Sequence, residues 1–99
     1  MTNDELIGLV TQKLSKVIDP ETGVDIIRMK LVQDMTLDDN KVLTYKFRPS
    51  SPLCPIAIPL VLEIITTIRG IHEITNQKVT VVDYMQADVL NQMLISLLE

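Results

Sequence analysis

Between Arg28 and Arg48 the side chains alternate in character with a period of two, broken once by the polar run Asp38-Asp39-Asn40-Lys41. Met29, Leu31, Met35 and Leu37 fall on one face of an extended chain, and Lys30, Asp34 and Thr36 on the other. Leu43, Tyr45 and Phe47 then alternate against Thr44, Lys46 and Arg48. Successive side chains of a strand point to opposite faces, so two such runs around a short polar turn predict an antiparallel hairpin.

The flanking segments read as helices and one more strand. Thr2 and Glu5 have the spacing of a capping box, and Asp4 and Glu5 suit the positive end of a helix. Ile7, Val10, Leu14 and Val17 then recur on one helical face. That helix should stop before Asp19-Pro20, because the residue preceding proline is pushed out of the helical region. Asp19-Pro20-Glu21-Thr22-Gly23 has the composition of a turn, and Val24 to Ile27 suits either an extended segment or a single helical turn. After the hairpin an apolar run from Ile56 to Ile68 predicts a helix ending near Arg69, with Gly70 as its cap. Its start lies at Pro55 or nearer Ile58, since Pro59 deletes a backbone bond if the helix begins too early. Lys78 to Tyr84 reads as a third strand, and Ala87 to Leu98 as a final helix. The expectation is a single domain over residues 1–99. Its class is α/β in an α+β two-layer form, a small mixed three-stranded sheet covered by helices in the order α-β-β-α-β-α.

Composition narrows the function classes. Tyr45, Tyr84 and Phe47 are the only aromatics, so the core must be built from Leu, Ile, Val and Met. No apolar run approaches the roughly 20 residues of a membrane span, and no basic segment leads an apolar stretch at the N-terminus. With one cysteine no internal disulfide is possible, and a cytoplasmic protein is expected. The net charge is −4, with Lys and Arg dispersed, which argues against a nucleic-acid partner.

Cys54 stands among prolines in Ser50-Ser51-Pro52-Leu53-Cys54-Pro55, where a strand hands over to a helix. A thiol exposed at a helix N-terminus ionises more readily, and the thiolate binds soft metals or attacks electrophiles. Exposure of Cys54 at that point is therefore the central expectation. The competing reading is a buried structural thiol. Asp19 and Glu21 suit either acid–base or metal-binding roles, or a plain turn in which Asp19 caps local N–H groups and Glu21 is solvated. His72 is the only histidine and reads as a surface residue; one histidine and one cysteine are too few for a zinc site within one chain. Met29 and Met35 read as core filling. There is no phosphate loop, nucleophile elbow or zincin motif, and a Cys54–His72 dyad requires the fold to join them, so no enzyme is expected.

Two segments together resemble a known family. Val17-Ile18-Asp19-Pro20-Glu21-Thr22-Gly23-Val24-Asp25-Ile26 is similar to the first signature of the MIP18 family, also called the domain-of-unknown-function-59 family, and Ser50-Ser51-Pro52-Leu53-Cys54-Pro55 resembles its Thr-Thr-Pro-Gly-Cys-Pro signature. The hairpin between them and Gly70-Ile71 before the third strand match as well, over residues 5–84. The resemblance implies a small α/β domain acting as an accessory factor in iron–sulfur cluster assembly or delivery to client proteins. It matches Asp19 and Glu21 to the acidic pair, Cys54 to the reactive cysteine, and Ser50 and Ser51 to the two threonines. These five are the expected cluster or client contacts. Iron–sulfur clusters generally take four thiolates, so with one cysteine any cluster at Cys54 would be transient and labile, completed from a homodimer partner, carboxylates, small thiols or a client. Leu53 replaces the family's glycine, and Tyr84-Met85-Gln86-Ala87-Asp88 stands where many members carry Pro-Pro-Trp. The alternatives are an interaction module that keeps the fold without metal chemistry, its apolar last helix serving a partner, and a thiol-based redox protein.

Overall fold

The computed structural model describes residues 2–98. Thr2 caps the first helix, α1 (Asn3–Leu14), by accepting the Glu5 N–H on its hydroxyl at 3.2 Å. Leu6, Val10 and Leu14 are its buried stripe, and Ile7 lies at the margin. Val17 is buried too, but outside the helix. Its carbonyl accepts the Ile26 N–H at 3.0 Å, and the adjacent Ile18 forms an antiparallel bridge to Asp25. That bridge draws the chain out of the helix well before the proline.

The hairpin forms as predicted, from β1 (Val32–Leu37) and β2 (Val42–Phe47), with a later start than the alternation implied. Residues 25–30 coil into a turn instead. Asp25 Oδ1 accepts the Arg28 N–H at 2.8 Å, and Lys30 takes a positive φ of 60°. Met29 therefore lies in the turn and Leu31 between it and β1. A bulge in β1 moves the register from Gln33↔Lys46 to Thr36↔Thr44, and Asp34 supplies it with a φ of 55°. The bulge brings Val32 to the same side as Met35 and Leu37, which a simple alternation would place opposite. At the tip, Asp38 Oδ1 accepts the N–H groups of Asn40 and Val42, each at 2.9 Å.

Helix α2 (Ala57–Arg69) follows, then β3 (Asn76–Val81) and α3 (Ala87–Leu98). With Ile56 as cap, Pro59 occupies the third helical position, where the backbone nitrogen has no intrahelical acceptor, so the proline costs no bond. The sheet order is β1-β2-β3, antiparallel then parallel, a mixed sheet with β2 at its centre. Leu43, Tyr45, Phe47, Gln77, Val79 and Val81 are buried on the helix-covered face, while Thr44, Lys46, Lys78 and Thr80 face out. The two-layer α/β expectation holds. β3 ends at Val81, not Tyr84: Asp83 turns the chain away with a φ of 53°. Among the described residues no helix is long and apolar enough to cross a membrane.

Candidate functional site

The loop between β2 and α2 is built on a tight turn. The Cys54 N–H donates to the Ser51 carbonyl at 3.2 Å, closing a turn over Pro52 and Leu53. Pro52 supplies the fixed φ favoured at the second position. Leu53 has no positive φ, so this turn does not need the family's glycine. The turn throws Leu53 outward, 69% exposed, and sends the next side chain inward.

That next side chain is Cys54, and it is 1% exposed, packed with the aliphatic core. The expectation of a solvent-presented thiol at a helix mouth is overturned. The physical reason is the turn just described, together with the later helix start: Cys54 stands two residues ahead of the cap, outside the helix. Its sulfur lies 3.8 Å from the Ser50 hydroxyl, which donates to it. Ser50 and Ser51 are exposed.

The acidic bend is a closed turn. Asp19 is fully buried; its Oδ1 accepts the Glu21 N–H at 2.8 Å, its carbonyl accepts the Gly23 N–H at 2.8 Å, and its N–H donates to the Val24 carbonyl at 3.0 Å. Gly23 closes the turn at a φ of 70°, in the left-handed region. The second oxygen, Oδ2, is buried and accepts no hydrogen bond among the described residues. A buried polar atom left this way costs free energy and calls for an explanation. Glu21 is exposed, as a turn reading requires. Pro20 lies with Ile56, Pro59, Leu60 and Glu63 around a small cleft of about 90 Å³, so the bend rests on the first turns of α2. Both segments singled out in the sequence thus converge on the start of that helix, the acidic bend from one side and the Cys54 loop as its lead-in.

A second recess of about 340 Å³ includes Lys30, Arg48, Ser50, Ser51 and Asp83 in its wall. Two of the four non-glycine residues with positive φ, Lys30 and Asp83, line it. Such strained backbone gathers at functional sites. Arg48 pairs with Asp83 at 3.1 Å on its rim, in an exposed geometry that adds little stability.

The segment after β3 was the residue set that sequence reasoning missed. The Met85 N–H donates to the Pro52 carbonyl at 2.9 Å, and the Tyr84 hydroxyl donates to the Cys54 carbonyl at 3.4 Å. Tyr84-Met85 therefore braces the cysteine loop from the position where many family members carry Pro-Pro-Trp. The available signal was the departure itself, Tyr84-Met85-Gln86-Ala87-Asp88 in place of Pro-Pro-Trp.

Two other expectations resolve simply. His72 is exposed beyond the far end of α2, and thirteen helical residues span about 20 Å, so it forms no dyad with Cys54. Met29 and Met35 pack against the core. Among the described residues no three His, Cys, Asp or Glu side chains form a metal-binding group.

Comparison with known proteins follows the same lines. A family model described as an iron–sulfur cluster assembly protein matches residues 9–81. The Fe-S protein maturation auxiliary factor SufT of Staphylococcus aureus is 35% identical over 66 residues, 67% of this chain and 75% of that protein. The Fe-S protein maturation auxiliary factor YitW of Bacillus subtilis is 32% identical over 69 residues, 70% of this chain and 68% of that protein. The crystal structure of a domain of unknown function, DUF59, from Bacillus anthracis superposes with a TM-score of 0.74 at 25% identity, covering 95% of this chain and 94% of that one.

Proposed function

This chain belongs to the iron–sulfur cluster assembly protein family, and on that premise we propose that it is an accessory factor in the maturation of iron–sulfur proteins. It acts in the cytoplasm as a binding partner of assembly or client proteins, not as an enzyme. The cluster is cargo. Cys54 is the chain's only thiolate donor, and one thiolate is too few to hold a cluster. The remaining ligands come from the client, from small thiols or from a second copy.

The observation that carries this reading is the meeting of the acidic bend and the cysteine loop at the first turns of α2, with one Asp19 oxygen left without a partner. Client contact falls on the exposed side of these two loops, at Glu21, Ser50 and Ser51. Cys54 reaches cargo when its loop lifts. That loop is tied to the segment after β3 by the Tyr84 and Met85 bonds and to α2 by the Ala57 N–H on the Cys54 carbonyl, so lifting breaks these bonds and uncovers the thiol.

The test is complementation of a bacterial strain lacking its own factor of this family, reading the activity of an iron–sulfur client enzyme. Wild type is expected to restore the activity, and Cys54→Ser and Asp19→Asn to fall short by about tenfold or more at equal protein level, the scale of one lost essential contact. Full restoration by Cys54→Ser overturns the thiol role. It then supports the second reading, a metal-free interaction module, which the burial of Cys54 favours. Anaerobic incubation with iron and sulfide separates the two further, since only the first reading expects cluster absorbance that depends on Cys54.

A further inference from the structure

The two outer strands of the sheet are finished differently. On β1 the bulge at Asp34 disrupts the outer ladder, and Asp34 pairs across the face with Lys46 at 3.4 Å, both devices that discourage strand addition. β3 has no bulge and pairs in unbroken parallel register with β2 from Val42↔Asn76 to Phe47↔Val81. The Val82 N–H donates to Phe47 of β2. The N–H and C=O of one strand residue point to the same side, and neighbours alternate. Lys78 and Thr80 therefore bond towards β2, while Gln77, Val79 and Val81 turn their backbone groups to the outer edge.

Two of these three are already provided for. The Asn91 side chain accepts the Val81 N–H at 2.6 Å and donates to the Val81 carbonyl at 3.1 Å, acting as a neighbouring strand would. The Gln77 N–H donates to Asn76 Oδ1 at 2.8 Å. The Val79 N–H and carbonyl and the Gln77 carbonyl find no partner among the described residues. They open on a groove of about 520 Å³ between β3 and α3, within the roughly 300–1,000 Å³ typical of ligand clefts. Ile95 and Leu98 form its far wall, and among the described residues Lys78 is the one charged residue lining it.

From these observations we infer that the β3 edge is a docking site for an extended segment of a partner protein, added as a short fourth strand. The partner's backbone pairs with Val79 and the Gln77 carbonyl. Its alternate side chains are aliphatic towards Ile95 and Leu98, and acidic towards Lys78. A second copy of this chain is the poorer occupant. An antiparallel copy centred on Val79 would lay its own Gln77 opposite Val81, where Asn91 already stands. A flexible segment avoids that collision because it needs only the open stretch. The site is separate from the thiol and does not depend on its chemistry.

The probe is a terminally blocked heptapeptide alternating valine and glutamate, titrated into the isotope-labelled full chain. The expected result is at least about tenfold slower amide exchange at Val79, as a new backbone hydrogen bond gives, with shift changes at Gln77 and Ile95. Lys78→Glu, an exposed substitution that leaves the core intact, should weaken binding about three- to tenfold. The same peptide methylated on alternate backbone nitrogens should not protect Val79. Unchanged Val79 exchange at millimolar peptide overturns the inference, as does equal binding of the methylated peptide. Val79 protection that rises with protein concentration in the absence of peptide also overturns it, and assigns the edge to a second copy.

Discussion

The Tyr45 hydroxyl donates to Gln77 Oε1 at 2.7 Å inside the core, and Gln77 Nε2 donates to the Ile65 carbonyl at 3.1 Å. This small network joins β2, β3 and α2 with its polar groups partnered. Tyr45→Phe leaves the Gln77 oxygen without a donor, and should cost about 1–3 kcal/mol in urea unfolding. Burial pushes the Tyr45 phenol well above its ordinary value. The unfolded phenol ionises near pH 10 while the folded one keeps its proton. Its contribution is therefore whole below about pH 10 and is lost as pH rises beyond it, so wild type should lose stability there faster than Tyr45→Phe. Asp19 tests the opposite case. Asp19→Asn keeps an acceptor for the Glu21 N–H and removes any charge from a buried carboxyl whose second oxygen has no partner. It also sets an amide nitrogen in the unpartnered place, so its urea midpoint should move by no more than the equivalent of about 2 kcal/mol, whatever it does to client maturation. At this scale the sequence revealed the turn role of Asp19, because it follows from local neighbours. It did not reveal the burial of the thiol, which depends on which way a four-residue turn faces, nor the Gln77 network, which joins residues far apart in the chain.

Elements were legible where a single period ran unbroken and obscure where tertiary contacts cut it short. α2 and α3 carry long apolar stripes, and both were predicted close to their observed bounds. The start of β1 was misplaced because Asp25 captures the Arg28 N–H and curls residues 25–30 into a turn that alternation cannot distinguish from a strand. The cysteine loop invites a test at this scale. Leu53 sits without positive φ and largely in solvent, so restoring the family's glycine gains no native freedom that is needed and adds freedom to the unfolded chain. Leu53→Gly should therefore destabilise by about 0.4–1 kcal/mol, read as a lower denaturation midpoint with unchanged slope. A stabilising result would mean that the turn is strained at Leu53. Pro59→Ala, at a position with no helical bond to restore, should change stability by less than about 0.5 kcal/mol.

In the whole molecule the cysteine loop is a lid on one end of a core whose centre is β2, which is paired along both edges. Proteins open piecewise, and segments held by few bonds open at lower free energy than the central strand. Beyond its own turn, the lid is held by Met85 on Pro52, Tyr84 and the Ala57 N–H on the Cys54 carbonyl, and the packing of the thiol itself. Thiol labelling measures that opening directly, since a sulfur 1% exposed reacts only when uncovered. Under native conditions Cys54 should react with a bulky disulfide reagent far more slowly than a free cysteine, yet faster than β2 amides such as Leu43 and Tyr45 exchange with solvent. Tyr84→Phe removes one fastening and should raise the labelling rate about two- to tenfold, the effect of one hydrogen bond of roughly 0.5–1.5 kcal/mol, while leaving β2 exchange nearly unchanged. If labelling and β2 exchange instead share one opening free energy, the loop moves only with global unfolding. The thiol is then a core residue in every folded state, and an accessory factor of this shape would have to work through its surface alone.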